Sequence, residues 1–371
     1  MNDHEENDLP SKMRIVFLSH TPPNPHLRVG SHHLSAAASR FGHDVAHVAG
    51  PVSVAHVVKL NDPMVRRRFS AAVRPPRPDS DEVIQAVPLT LVPLDRAAGP
   101  FQRAMVRFPA RWRKGLMNTF RGADVVFVDQ PLLIELALEF RPGRLVYRPT
   151  DAHFDPRVRA AELRAVSLCH GIVATSTSVL AQVTAETTWS GPSMVLENGV
   201  DVEHFAPRIS PERRGFVYVG AIDRRFDWQV ILHLAQAFPT EPVTLVGPTS
   251  VSVPELPSNV ELIGPVAYES VPSIMHRASI GLLPYSDDPG NAGRSPMKFY
   301  EYLAAGLSVL AKASPTVDER QSVALGTYAS AEEAVLVAGA LLVQRPSDVD
   351  TARQFDWSDR AGRLLRFAGQ L

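Results

Sequence analysis

The stretch RSPMKFYEYLAAG, Arg294–Gly306, decides how the rest of the chain is read. Ser295 is placed to cap a helix with its hydroxyl, Pro296 suits the first helical position, and Gly306 is the residue type that ends a helix. Between them Met297, Lys298, Tyr300 and Glu301 divide between two helix faces. A helix start offers backbone N–H groups without intrahelical acceptors and the positive end of a dipole, which suits a phosphate, and Lys298 adds a mobile charge. Glu301 stands one turn further in, where a carboxylate could accept from two sugar hydroxyls. An amphipathic helix with merely solvated charges would read the same way in isolation.

The flanks separate the two readings. An apolar run, IGLLPY (Ile280–Tyr285), leads into the polar loop SDDPGNAGR before the helix, and SVLA follows it. Strand, loop, helix and strand in that order is the layout in which open α/β sheets bind ligands, where strand carboxyl ends meet helix N-termini. Asp287 and Asp288 in this loop read as turn residues.

This segment resembles the nucleotide-sugar site of GT-B glycosyltransferases, in the branch of the xanthan glucuronosyltransferase and the teichuronic-acid-type transferases. The resemblance extends to VGAIDRRFDW (Val219–Trp228), LENGVDVEHF (Leu196–Phe205) and LVYRPTDAHFD (Leu145–Asp155), and so covers most of the chain. It implies an α/β protein of the GT-B fold, with two Rossmann-like domains facing across a cleft and a C-terminal helix crossing back to the N-domain. It also implies transfer of a sugar from a nucleotide-sugar donor, UDP-linked, to a glycan, glycolipid or small-molecule acceptor. The implied donor contacts are Gly220, Ile222, Arg225, Tyr285, Ser295, Met297, Lys298 and Glu301, with Arg224 a second arginine near the diphosphate.

For the base that deprotonates the acceptor hydroxyl, the resemblance points to Asp151, which follows the strand LVYRPT; His153 and Asp155 are alternatives, and capping a helix is the competing role for Asp151. His20, His32 and His33 are weaker candidates. Retaining relatives carry two glutamates around the donor helix. Glu301 stands at the second position and Gly293 at the first, a departure that favours inversion by direct displacement. The donor segment Ile280–Gly306 carries no D-x-D signature of a metal-dependent transferase, so no cofactor or metal is expected: helix N–H groups, Lys298 and Arg225 would carry the leaving-group charge. Two other functions fit the same fold, a nucleotide-sugar 2-epimerase and a non-catalytic nucleotide-sugar-binding protein.

A chain of 371 residues can bury the cores of two domains. The expected organisation is a disordered leader (1–12), an acceptor-side domain (13–205), a nucleotide-sugar domain (206–354) and a crossover helix (355–371). The first strand–loop–helix, MRIVFLSH and TPPNPHLRVG, lacks GxGxxG, which argues against a dinucleotide oxidoreductase; Arg28 in this loop is a possible substrate contact. A formal net charge of −1 gives no global attraction for nucleic acid. Cys169 is the single cysteine, which excludes an intrachain disulfide and a multi-cysteine zinc site. The longest apolar run, Ala334–Val343, is too short to cross a bilayer and reads as a buried helix. Arginines alternate with Phe, Trp and Met in Val65–Pro78 and Phe101–Arg121, a pattern suited to an anionic lipid surface as well as to a solvated helix. The expected location is the cytoplasm, at the inner face of the membrane if these segments bind it.

Overall fold

The computed structural model describes residues 11–22, 28–90, 93, 113–207, 212–291 and 295–371. Most of the expected leader, the Phe101–Trp112 part of the second basic stretch, Gly293 and Arg294 lie outside the described residues. The chain divides into two compact units. One takes the described residues up to Leu196 together with Ser358–Leu371, and the other takes Glu197–Trp357. The changeover precedes Phe205, the boundary expected from the sequence, because Val200 and Phe205 are buried in the hydrophobic core of the second unit.

The first unit is built on an eight-stranded sheet. Its order is Ser193–Val195, Gly171–Ala174, Arg144–Tyr147, Val125–Val128, Arg14–Ser19, Asp44–Ala49, Ile84–Ala86 and Arg77–Pro78. Only the last pair is antiparallel. The central strands Ile15–Leu18 and Val125–Val128 are apolar throughout and fully buried, as strands of a parallel sheet covered on both faces must be. The final helix, Trp357–Gly369, belongs to this unit for nearly its whole length: Arg144 donates to the Gly369 carbonyl (3.4 Å), and a Cβ on Gly171 would meet the Phe367 and Leu371 side chains.

The second unit has a six-stranded, wholly parallel sheet ordered Val260–Gly264, Val243–Val246, Phe216–Val219, Ile280–Leu283, Ser308–Lys312, Leu325–Tyr328. Numbered along the chain this is the doubly wound order 3-2-1-4-5-6. The Trp228–Ala237 helix forms because Asp227 accepts from the Gln229 and Val230 N–H groups, while Val230, Ile231 and Leu234 recur on one face and are buried. Each of those side chains contributes about 1.5–3 kcal/mol by burial, so one change to aspartate would undo the packing.

The Ala331–Gln344 helix corrects one expectation. It is not buried all round: Ala334, Ala338 and Leu341 face the core, while Leu336 and Val343 are largely exposed. Val337 and Leu341 pack against the adjacent strand at Gly326, while the opposite face is left in solvent. A second correction concerns the basic stretches. In the described part of Phe101–Arg121, Leu116 and Phe120 are buried in the core of the first unit, so these apolar residues are not presented outward. In Val65–Pro78, by contrast, Arg66, Arg67 and Arg74 are exposed, whereas Arg68 turns inward to the Gly50 carbonyl (2.7 Å).

Candidate functional site

In the second unit the two central strands pair only at Phe216–Ile280 and Val217–Gly281, and then separate. Their carboxyl ends are the point where the order of the sheet reverses, so a crevice opens there. Tyr302 bridges the gap: its hydroxyl accepts from the Val219 N–H (3.1 Å) and donates to the Leu282 carbonyl (3.3 Å). Its ring lies so close to the strand that a Cβ at Gly281 would come within 2.2 Å of it. Only glycine fits under that ring.

The loops that leave these strands are laced together. Phe226 and Tyr285 form an antiparallel bridge, Asp227 N–H donates to the Pro284 carbonyl (2.8 Å), and Ser286 N–H donates to the Arg225 carbonyl (2.9 Å). Asn291 Nδ2 donates to the Arg225 and Ser286 carbonyls (3.0 and 2.9 Å). Gly220 meets Gly247, whose φ of +143° and approach to the Gly220 carbonyl leave no space for a Cβ. Tyr285 is half-buried against the core at the rim.

The donor-type helix runs from Met297 to Ala304 and closes in a Schellman motif. Gly306 at φ +73° donates to the Leu303 carbonyl and Leu307 N–H to that of Tyr302, both at 2.9 Å. Its start differs from the sequence expectation. Pro296 is the N-cap, without a side-chain cap bond, and Ser295 lies one residue outside. The serine oxygen is already used as an acceptor by Asn198 N–H (3.3 Å) and Arg320 Nη2 (3.2 Å), so it has no lone pair for a helix N–H.

Lys298 and Glu301 pair with each other. Lys298 Nζ lies 2.9 Å from Glu301 Oε2, and the glutamate side chain is only 3% exposed. That oxygen is in ion-pair contact yet receives no hydrogen bond of good angle, so a buried carboxylate oxygen is left under-satisfied beside the helix start.

Two expected contacts are committed elsewhere. The Arg225 guanidinium is held on Asp223 (Nε to both carboxylate oxygens, 3.1 Å; Nη2 to Oδ2, 2.5 Å). Ile222 is fully buried; its N–H donates to Pro248 and its carbonyl accepts from Ser250, so it serves the core and the loop. Asp288 caps its own turn at Gly290 N–H (2.7 Å) and pairs with Arg224 (3.2 Å), as a turn residue does.

In the first unit Asp151 is exposed beyond the strand Arg144–Tyr147, with Thr150 Oγ1 donating to its carboxylate (3.3 Å). It does not cap the next helix. Asp155 does, accepting from the Arg157 and Val158 N–H groups, so that carboxylate is committed and Asp151 is not. The loop is anchored by Thr175, which donates to the Thr150 carbonyl (2.9 Å), and by a buried pair that the sequence reading missed. Arg148 donates in bidentate fashion to Asp129 (2.8 and 2.5 Å), and burial raises the Asp129 carboxyl above its ordinary range against the pull of the arginine. His32 and His33 are buried, not surface groups. His32 is fixed between the Thr21 carbonyl (3.0 Å) and Val29 N–H (3.2 Å), and its ring lies 4.5 Å from that of His47, which reaches Ser31 Oγ (3.1 Å).

No family model matches the chain. Anabaena HepE (Alr3699), solved with UDP and glucose, superposes with a TM-score of 0.67 at 15% identity, over 97% of this chain and all of that one. Sucrose-phosphate synthase from Thermosynechococcus elongatus does so at 0.64 and 16% identity, over 97% of this chain and 94% of that one. The chain has the GT-B fold. In sequence, the GT-B chain is 28% identical over 238 residues to TuaH of Bacillus subtilis (strain 168), provisionally named a teichuronic acid biosynthesis glycosyltransferase. The match takes in 57% of this chain and spans 60% of the length of that curated relative.

The residues that the sequence reading missed, Glu197, Asn198 and Arg320, surround Ser295. Glu197 Oε2 accepts from Tyr300 OH (2.6 Å) and Arg320 Nη2 (2.9 Å). Glu197 and Asn198 lie within a motif the sequence displays, but Arg320 follows a later strand and carries no local signal. Among the described residues, no group of three or more His, Cys, Asp or Glu side chains could hold a metal ion, and no helix is long and apolar enough to cross a membrane.

Proposed function

We propose that this protein is a glycosyltransferase moving a sugar from a UDP-linked donor to a glycan, glycolipid or small-molecule acceptor. The observation that carries this reading is the helix start at Ser295–Lys298, beside an under-satisfied Glu301 carboxylate and at the sheet-order reversal of a GT-B second unit. That is where a diphosphate and a ribose find complementary groups. HepE, of the same fold, has been solved with UDP-glucose, and TuaH is named for glycosyl transfer.

In this reading the helix N–H groups at Met297 and Lys298 and the Lys298 ammonium meet the diphosphate, and Glu301 takes the ribose hydroxyls. Gly220 lets the ligand approach the backbone, and Tyr285 borders the base. Arg225 would contribute only by leaving Asp223, and Ile222 is dropped from the set. Asp151 acts as base: it takes the acceptor proton as the acceptor oxygen attacks the anomeric carbon and the nucleoside diphosphate departs, inverting the configuration. Charge on the leaving group is met by dipoles and lysine, without a metal.

The test is incubation with UDP-sugars, with and without acceptors. Transfer only when an acceptor is present supports the reading, whereas a changed donor without acceptor identifies an epimerase. Binding without turnover under any acceptor condition identifies a binding protein. Thermal stabilisation by nucleotide sugars gives the donor by mass action.

Peripheral contact with anionic membranes through Val65–Pro78 is part of the proposal; Phe101–Arg121 is left out of it, because Leu116 and Phe120 are buried in the core. Its support is the exposed Arg66, Arg67 and Arg74. Co-sedimentation with anionic but not neutral liposomes, weakening with salt, is expected. Equal behaviour with both would remove it.

A further inference from the structure

We infer that Arg320, held by Glu197, makes Ser295 a dedicated hydrogen-bond donor toward the donor diphosphate. The inference rests on the donor-site reading above and assigns it a charge-bearing residue that the helix motif does not contain.

A serine hydroxyl has two acceptor lone pairs and one proton. Both acceptor directions at Ser295 are occupied, by Asn198 N–H (3.3 Å) and Arg320 Nη2 (3.2 Å), and the Ser295 carbonyl accepts from Asn198 Nδ2 (2.7 Å). What remains at Oγ is its proton, which is given to no acceptor among the described residues. A hydroxyl confined to donation, one residue ahead of a helix N-cap, suits a ligand group that only accepts. A diphosphate is such a group and a sugar hydroxyl is not.

The arginine cannot drift from this task. Its side chain is 4% exposed; Nη1 donates to the Thr316 carbonyl, and the guanidinium lies 5.3 Å from the Phe299 ring centroid and 5.7 Å from that of Tyr300. Glu197 supplies the opposite charge, and Tyr300, stacked on Phe355 at 4.1 Å, donates to the same Glu197 oxygen from the other side. Arg320 thereby places a fixed positive charge behind Ser295, with Glu197 opposing that charge and Nη1 and Nη2 bonded, while its buried Nε has no partner among the described residues. Arg320, Glu197 and Tyr300 are positioning residues.

The test compares UDP with uridine, because only UDP carries the diphosphate. Binding of both is measured for the wild type, Ser295→Ala, Arg320→Gln and Tyr300→Phe, with Val230→Ala as a core variant that lowers thermal stability away from this cluster. Arg320→Gln should weaken UDP about 10- to 30-fold and Ser295→Ala about 5- to 10-fold, with uridine changed less than 2-fold; the double variant should lose no more than Arg320→Gln, because the two act in series. Val230→Ala should bind both as the wild type does. Should Arg320→Gln not fold, Ser295→Ala and Tyr300→Phe carry the comparison. UDP and uridine weakened alike would show a merely structural role and overturn the inference, as would unchanged UDP binding. Wild-type protein that binds neither would overturn the donor-site reading and the inference with it.

Discussion

Replacing Lys298 by alanine tests the donor helix most directly, because the contact the structure shows and the diphosphate contact proposed above both run through this lysine. In the free protein it faces Glu301 at 2.9 Å. At an effective dielectric of about 20 that separation corresponds to a gross attraction of about 6 kcal/mol, most of it offset by desolvation. Breaking a fully buried pair costs about 3–5 kcal/mol; the Lys298 side chain is 27% exposed, which places Lys298→Ala below that range, at about 2–3 kcal/mol. For a unit of this size that is a fall in Tm of about 4–12 °C. The bound state loses a charge-assisted hydrogen bond as well, so UDP affinity should drop about 10- to 100-fold. Calorimetric unfolding and UDP titration of Lys298→Ala, Glu301→Ala and the double variant measure both. The double variant should be no less stable than Lys298→Ala, because it carries no orphaned carboxylate. Additive losses in stability together with unchanged UDP binding would refute both the pairing and the site.

Asp151→Asn keeps the shape of the side chain but cannot take a proton; turnover should fall about 10²- to 10⁴-fold with donor affinity little changed, and the wild-type product should have the anomeric configuration opposite to the donor. Near-normal turnover would move the role to His153, since the Asp155 carboxylate is held on the helix start. Turnover should persist in excess chelator, and loss restored only by a divalent ion would reject the metal-free mechanism. Burial lowers the His32 imidazole to about 4 from 6.5, and that of fully buried His47 well below 6.5, with His32 and Arg148 opposing its charge. The unfolded chain therefore binds more protons than the folded one below pH 6.5, so stability is complete above that pH and is lost as pH falls toward 4. Tm measured from pH 7.5 to 4.5 should decline, and less steeply in His32→Asn; parallel curves would contradict the assignment.

Much of the architecture was legible in local residue order. Apolar runs such as Val125–Val128 and Phe216–Val219 are strands because parallel sheets bury both faces, and helices alternate with them at the period of a doubly wound fold. The extent of the donor-type helix followed from Gly306, whose left-handed backbone stops it. What failed was the cap. Ser295 has the right identity and position for an N-cap, but its oxygen is claimed by Asn198 and Arg320, which local propensity does not see.

The sequence by itself determined the alternation of strands and helices and the presence of a helix that Gly306 ends, because each depends on residues close along the chain; the contact between Lys298 and Glu301 came from the structure. Only the tertiary structure decided which strands split to open a crevice, that Asp155 and not Asp151 caps its helix, that Arg225 is held on Asp223, and that Arg320 and Glu197 stand behind Ser295. Competition for a lone pair or a carboxylate is settled by which groups packing brings within about 3 Å, the reach of a hydrogen bond, and the order of residues does not contain that distance.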